Sequence, residues 1–363
     1  MVNPEDSSGY STGCPVCCKA DDLLRCSGCK VLRYCGRDHQ TAHRQAHKFA
    51  CREVRIARDD LEKAKQALIN DPNFKNDNPF VNHVGYFWKI VETRPYMMGL
   101  SKLVNALQSI DHKDSVQAEL DLCMEMLRLC PSDNMGVRSS VPGVMLRLDK
   151  DQECYDFVKW WALASINYDW EDHSRYYNIK NADAFEAIDF MGDNPLGELP
   201  HFICLMILKI KLLSELLKLQ EMEVTIKQML GEKLGGGIQN VPIPSEMFRK
   251  IVDDYPGIKI HNSIIRSRDD FMKGQGLKDA VWGLKVQIDE LYDIIDKANK
   301  HFWPAMKDAE KALLTPPSNM FAKGNVEEMR LALNTTWLTW VSVPAAIDFA
   351  QMLIKKKEKD STR

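Results

Sequence analysis

Val54, Ala57, Leu61, Ala64 and Leu68 recur at intervals of three and four residues, which puts them on one face of an α-helix. Asn70, Asp71 and Pro72 stop that stripe, and residues 70–79 are rich in turn formers. The same periodicity returns again and again beyond Phe80. It predicts helices over 84–91 and 96–110, split by Pro95. A third covers 115–130, where Val116, Leu120, Cys123, Leu127 and Cys130 alternate steps of four and three. A helix over 137–148 is expected to become regular near Ser140 because of Pro142, and another spans 152–164. Residues 165–198 are less regular. Leu199–Leu230 reads as a long, strongly apolar helix central to the core, broken by Gly235, Gly236 and Gly237, a hinge or loop. Residues 238–262 read as mostly loop with one short helix. Helices then follow over 277–299, with Pro304 in the continuation, and over 326–353, interrupted at Pro344, with a loop at 315–324. No strand ladder is visible outside the first fifty residues, and no repeat of fixed period. The fold class expected is mostly α, with antiparallel helical hairpins.

The stretch before the first stripe cannot be read this way. Residues 14–51 hold too few apolar side chains for a core; Leu23, Leu24, Val31, Leu32 and Tyr34 form a mini-core at most. They hold Cys14, Cys17, Cys26, Cys29, Cys35, His39, His47 and Cys51 instead. Two CxxC pairs, a CxxxH and an HxxxC supply eight thiol or imidazole ligands, enough for two closed four-coordinate zinc ions. Zinc must then supply the folding energy of this segment. A catalytic zinc keeps one coordination place open, and eight ligands fill both ions. Cys18 and His43 read as bystanders, although His43 falls with His39 and His47 at helical spacing. The expected organisation is a tail at 1–13, a zinc finger at 14–51, a connecting helix and loop at 52–78, an all-α domain at 79–354 and a basic tail at 355–363.

Composition adds limits. The 363 residues are 45% hydrophobic and 27% charged, with a net charge of −3, which is ordinary for a globular chain with a real core. Seven of the 11 cysteines lie in the finger. Cys123, Cys130, Cys154 and Cys204 sit in apolar helical contexts and read as buried free thiols, as in a reducing compartment. The first residues lack the apolar core of a secretion signal. The most apolar run, 202–217, is short for a membrane span and carries Lys209, Lys211 and Glu215. The expectation is an intracellular protein of nucleus or cytoplasm, off the membrane. Between Cys14 and Arg52, eight Lys/Arg face three Asp; six thiolates and two Zn²⁺ bring the finger to +3. That is modest, and no base-reading helix with interleaved aromatics is visible, so nucleic acid ranks below a protein or peptide as partner.

The order and spacing of these ligands resemble the MYND zinc finger. The matching features are two CxxC pairs, Tyr34-Cys35, His39, Gln40, and His47 with Cys51. The resemblance implies interleaved sites: Cys14, Cys17, Cys35 and His39 hold one zinc, and Cys26, Cys29, His47 and Cys51 the other. His39 stands where many members have Cys. Members are typically interaction modules for short proline-rich peptides, using a Gln and a Trp; Gln40 is retained, but Arg44 stands in the Trp place. The remainder resembles the helical C-terminal region of fungal-type MYND proteins, and Leu146–Trp160 resembles a TPR-like helix B with Cys154 in a small-residue place. Some members are SET-type lysine methyltransferases, but the context here differs: the finger is N-terminal, the remainder is helical, and Asn82-His83 and Gly274-Gln275-Gly276 lack the surrounding signature. The expected function is a zinc-binding adaptor with structural metal and no enzyme activity, possible settings being transcription or chromatin. An enzyme of unknown type in the helical region is the alternative. Oligomeric state is left open.

Overall fold

The structure is a computed structural model. It describes residues 11–164, 168–170, 175–192, 197–234, 243–254, 259–318 and 320–361, with only the backbone of 231–234 and 361. The expected tail at 1–13 therefore lies outside the described residues up to residue 10, as do Gly235–Gly237. In chain order the regular elements are β1 (Leu24–Arg25), β2 (Arg33–Tyr34), α1 (Arg37–Ile69), α2 (Pro79–Asn82), α3 (Arg94–Leu107), α4 (Lys113–Leu129), α5 (Val141–Arg147), α6 (Asp151–Leu163), α7 (Leu199–Leu234), α8 (Ser245–Asp254), α9 (Ser263–Arg266), α10 (Asp269–Met272), α11 (Leu277–Ala298), α12 (Phe302–Met306), α13 (Ala309–Leu313), α14 (Val326–Ser342) and α15 (Pro344–Ser361). The protein is mostly α. Among the described residues the only sheet is the antiparallel β1–β2 pair, with Leu24 opposite Tyr34 and Arg25 opposite Arg33.

The chain divides into two compact units. The first comprises Met1–Leu148 with Asn167–Asn178, the second Asp149–Ile166 with Ile179–Arg363. These borders differ from those expected at 51 and 78. One helix, α1, runs from inside the finger to Ile69, so no hinge separates finger from connector.

In the first unit α1 packs on α3, α3 on α4, and α4 on α5. Proline sets several of the helix starts. Pro95 opens α3 rather than splitting a longer helix, because the first turn needs no amide from that position. The helix expected at 84–91 does not form. Gly85 takes φ +91°, and Phe87 spends its amide on the Leu129 carbonyl (3.1 Å). Phe87 instead joins Phe80 and Tyr96 in an aromatic cluster, with Phe80 edge-on to Tyr96 at 4.9 Å. The segment from Leu146 to Trp160 is not one TPR-like helix. α5 ends at Arg147, and Asp149 adopts φ +56° before α6 begins.

In the second unit α7 is the axis. Residues 201–210 are buried all round, as the apolar run 202–208 requires, and α6, α11, α14 and α15 pack against the helix. Two lysines on it are buried or nearly so. Lys211 pairs with Asp151 (2.8 Å) and Asp149 (3.1 Å). Lys209 is fully buried; its Nζ donates to the Ala184 carbonyl (2.6 Å) and lies 5.2 Å from the Tyr155 ring centroid. Cys154 and Cys204 are buried free thiols. The basic residues from Lys355 onward, expected as a solvated tail, continue α15 to Ser361. Pro344 starts that helix after α14. No single described helix is long and apolar enough to cross a membrane; α14 and α15 pass only as a pair bent by 117°.

Candidate metal centre

Each CxxC pair closes a tight knuckle. The Cys18 amide donates to the Cys14 carbonyl (2.8 Å), and the Lys30 amide to the Cys26 carbonyl (2.9 Å). Cys18 and Lys30, each just after the second cysteine of its pair, both take left-handed conformations, φ +59° and +60°. The hairpin then delivers Cys35 at the end of β2. α1 delivers His39 from its first turns, and His47 with Cys51 one turn apart on one face.

Two ligand sets result. Cys14, Cys17, Cys35 and His39 form one, and Cys26, Cys29, His47 and Cys51 the other; within each set all four ligand atoms lie within 4.8 Å of one another. A tetrahedral zinc with Zn–S near 2.3 Å and Zn–N near 2.0 Å requires edges of about 3.8 Å between sulfurs and about 3.5 Å from sulfur to nitrogen. The edges found are Cys17–Cys35 at 3.6 Å, Cys26–Cys51 at 3.7 Å, Cys14 Sγ–His39 Nδ1 at 3.6 Å and Cys29 Sγ–His47 Nε2 at 3.4 Å. The Cys35–His39 edge is tighter, 2.9 Å. Both sets therefore fit Zn²⁺, two per chain, and interleave along the sequence.

The protonation of these groups suits a metal. Burial pushes the Cys14 thiol up, but backbone amides at Cys35, Val16 and Cys17 outweigh it and bring it down to about 6. Cys26 is lowered in the same way, against burial, by amides at Cys29 and Gly28. Burial and thiol neighbours push Cys35 up to about 11 and Cys51 up to about 12. Each set thus holds one thiol lowered by backbone amides, Cys14 or Cys26, beside at least one raised by burial, whose proton a bound cation displaces. Burial lowers His47, so its imidazole stays neutral and able to ligate. Three thiolates and one imidazole leave each zinc site at −1. Near the second site stands Arg58, half-buried, its Nε buried without a hydrogen-bond partner. Burial lowers its pKa, and Cys29 opposes that shift.

Cys18 and His43 fall in neither set. His43 stacks on the His47 ring (5.9 Å between centroids) and shares a hydrogen bond between its Nδ1 and the Tyr34 hydroxyl (3.0 Å). Gln40 is partly exposed and Arg44 exposed, both on the outer side of α1.

The expected mini-core is part of a larger one. Cys14, Cys26, Cys29, Val31, Leu32 and Tyr34 pack in one apolar cluster with Val54 and Ala57 of α1 and with Leu103, Leu107 and Ile110 at and beyond the end of α3. Polar contacts reinforce the junction. Arg33 Nε donates to Asp114 in the first turn of α4 (2.5 Å), and Arg25 lies 3.5 Å from the same carboxylate. His112 Nδ1 caps α4 by accepting from the Asp114 amide (3.2 Å). Arg58, Asp114 and the α3 leucines were not singled out from the sequence. For the leucines the only signal is the i, i+4 pair Leu103 and Leu107, which reads as an ordinary helix face.

Against known proteins, no curated sequence and no solved structure matches this chain. Its residues 14–51, which hold all eight ligands, match the family model of the MYND finger, a domain that generally mediates protein–protein interactions.

Proposed function

We propose that this protein is an adaptor: its two zinc ions are structural, and the finger presents a surface to a protein or peptide partner. The observation that carries this reading is the closure of both ligand sets. Each supplies four protein ligands to one ion, leaving no place for water or substrate. Fusion of the finger with α3 and α4 also supports it, since the metal then holds a surface rigid. Gln40 and Arg44, side by side on the outer face of α1, are the residues we assign to partner contact. The setting we propose, by family analogy, is transcriptional or chromatin regulation inside the cell; the free buried thiols suit a reducing compartment.

Elemental analysis of the full chain, of Cys26→Ala and of Cys35→Ala tests the metal assignment: two zincs are expected in the first and one in each variant. Crosslinking capture with the full chain and with Gln40→Ala/Arg44→Ala tests the role. Partners retained at full yield by the double variant, or a catalytic turnover that vanishes with the zinc, would overturn the reading.

A further inference from the structure

Five cations stand in single file on α1. Arg37, Arg44, Lys48, Arg52 and Arg55 are all exposed. At 100° per residue they fall within about 80° of one another on the helix, turned away from the face that buries Val54 and Ala57. They line a groove of about 890 Å³ whose opposite wall is the knuckle Cys26–Gly28. No carboxylate lines this groove, and among the described residues none of the five has an ion-pair partner, whereas the neighbouring Arg25 and Arg33 are committed to Asp114. Phe49, 73% exposed, adds one apolar surface to the same groove. The file ends where Asp59 and Asp60 begin.

Like charges this close on a helix repel one another and lower its stability, so an acidic partner gains by relieving that repulsion. Its dimensions say by what. From Arg37 to Arg55 the helix rises about 27 Å at 1.5 Å per residue, an average of about 7 Å between cations. Alternate side chains of an extended chain recur at about the same interval, and about eight extended residues cover the length. We propose that this stripe docks an extended acidic segment of a partner protein, about eight residues long with carboxylates at alternate positions. The proposal rests on the interaction-module reading and names the partner's chemistry.

A nucleic acid fits less well. A duplex gripping α1 in its major groove would need cations flanking both sides of the helix, and the knuckle wall has none. A single strand calls for aromatic platforms interleaved with the cations, and Phe49 is alone in the groove.

The test uses the full-length zinc-loaded chain and fluorescence anisotropy. The probes are a labelled octapeptide alternating Glu with Ser and Leu, its Gln counterpart, and an octamer of oligothymidylate. The Glu peptide is expected to bind about tenfold tighter than the Gln peptide at low salt and to weaken as salt rises. Arg44→Glu/Lys48→Glu/Arg55→Glu should weaken it by about tenfold or more, three exposed pairs being reversed, with both zincs retained. The same charge change at exposed Lys278, Lys285 and Lys355 in the second unit should leave it within about twofold. No preference for Glu over Gln, equal loss in the control triple, or tighter binding of the oligothymidylate would overturn the proposal. If partners captured by the full chain remain bound when the stripe is reversed but are lost from Gln40→Ala, the stripe assignment fails while the adaptor reading survives.

Discussion

Leu107→Ala tests whether the finger is a separate module or part of the first helical unit. Leu107 is 1% exposed, in the cluster that joins finger cysteines to α1 and α3. Truncating a leucine so well enclosed costs about 2–5 kcal/mol. Its neighbours come from both the finger and the helices, so about half of that, some 1–2.5 kcal/mol, depends on the finger being folded. Metal-free fingers of this kind are unfolded, so this share is lost when zinc leaves and counts toward zinc affinity. The variant should therefore bind zinc about 5- to 60-fold more weakly, at 1.4 kcal/mol per decade. Competition against a chromophoric zinc chelator, titrated to equilibrium, reads this directly. Leu291→Ala, equally buried but in the second unit, should lower thermal stability without moving the chelator midpoint. A Leu107→Ala protein that loses stability yet holds zinc within about twofold of the parent would refute the coupling.

Three further outcomes are expected. A Cβ built on Gly28 would stand 2.6 Å from the Cys51 sulfur; Gly28→Ala should therefore displace a ligand of the second zinc only, and elemental analysis should fall toward one zinc per chain. Asp114→Asn removes the shared partner of Arg33 and Arg25, a partly exposed pairing of about 0.5–1 kcal/mol, so zinc affinity should fall by no more than about fivefold, and less at high salt. Burial lowers Lys209 from 10.5 to about 7, opposed by Asp183 and Glu186. Its unfolded form therefore holds the proton across that window, and the cost of burying it, about 5 kcal/mol below pH 7 at 1.36 kcal/mol per unit, fades as pH rises toward 10.5. Denaturant titrations of Lys209→Met should show its advantage over the parent shrinking between pH 7 and 9.5; a constant difference would contradict the shift. Tyr155, raised by burial and its bond to Glu186, adds the opposite trend above pH 10, so the comparison stops short of that.

The helices and the ligands were legible for different reasons. α1, α4, α7 and α11 carry apolar residues at helical spacing for four turns or more, and periodicity of that length has no competing reading. The eight ligands were legible because thiols and imidazoles at CxxC, CxxxH and HxxxC spacing serve nothing else as well as zinc. Residues 84–91 misread because their apolar side chains are spaced like a helix while Gly85 takes a backbone that helices exclude. In sequence Pro95 reads as a divider, though proline favours the first turn of a helix as much as it forbids the interior. α9, α10 and α13 are too short, four or five residues each, to show a period at all. The junction between finger and α3 could not be read, since a leucine facing a zinc knuckle and one facing another helix leave the same mark in sequence.

That junction changes what the metal is for. A finger of 38 residues standing alone would spend its zinc on its own fold and present its surface on a flexible stalk. Here α1 leaves the second zinc through Cys51 and runs unbroken to Ile69, while Val31, Leu32 and Tyr34 pack with Leu103, Leu107 and Ile110. Two ions therefore brace the N-terminal half of a 33-residue helix from one side and α3 braces it from another. The side left over is the one that carries Gln40, Arg44 and the file of cations. A rigid helix face loses little conformational entropy on binding, so modest contacts of exposed charges can add up to useful affinity there. On a loose finger the same charges would be worth little, which makes zinc retention and partner affinity two readings of one coupling.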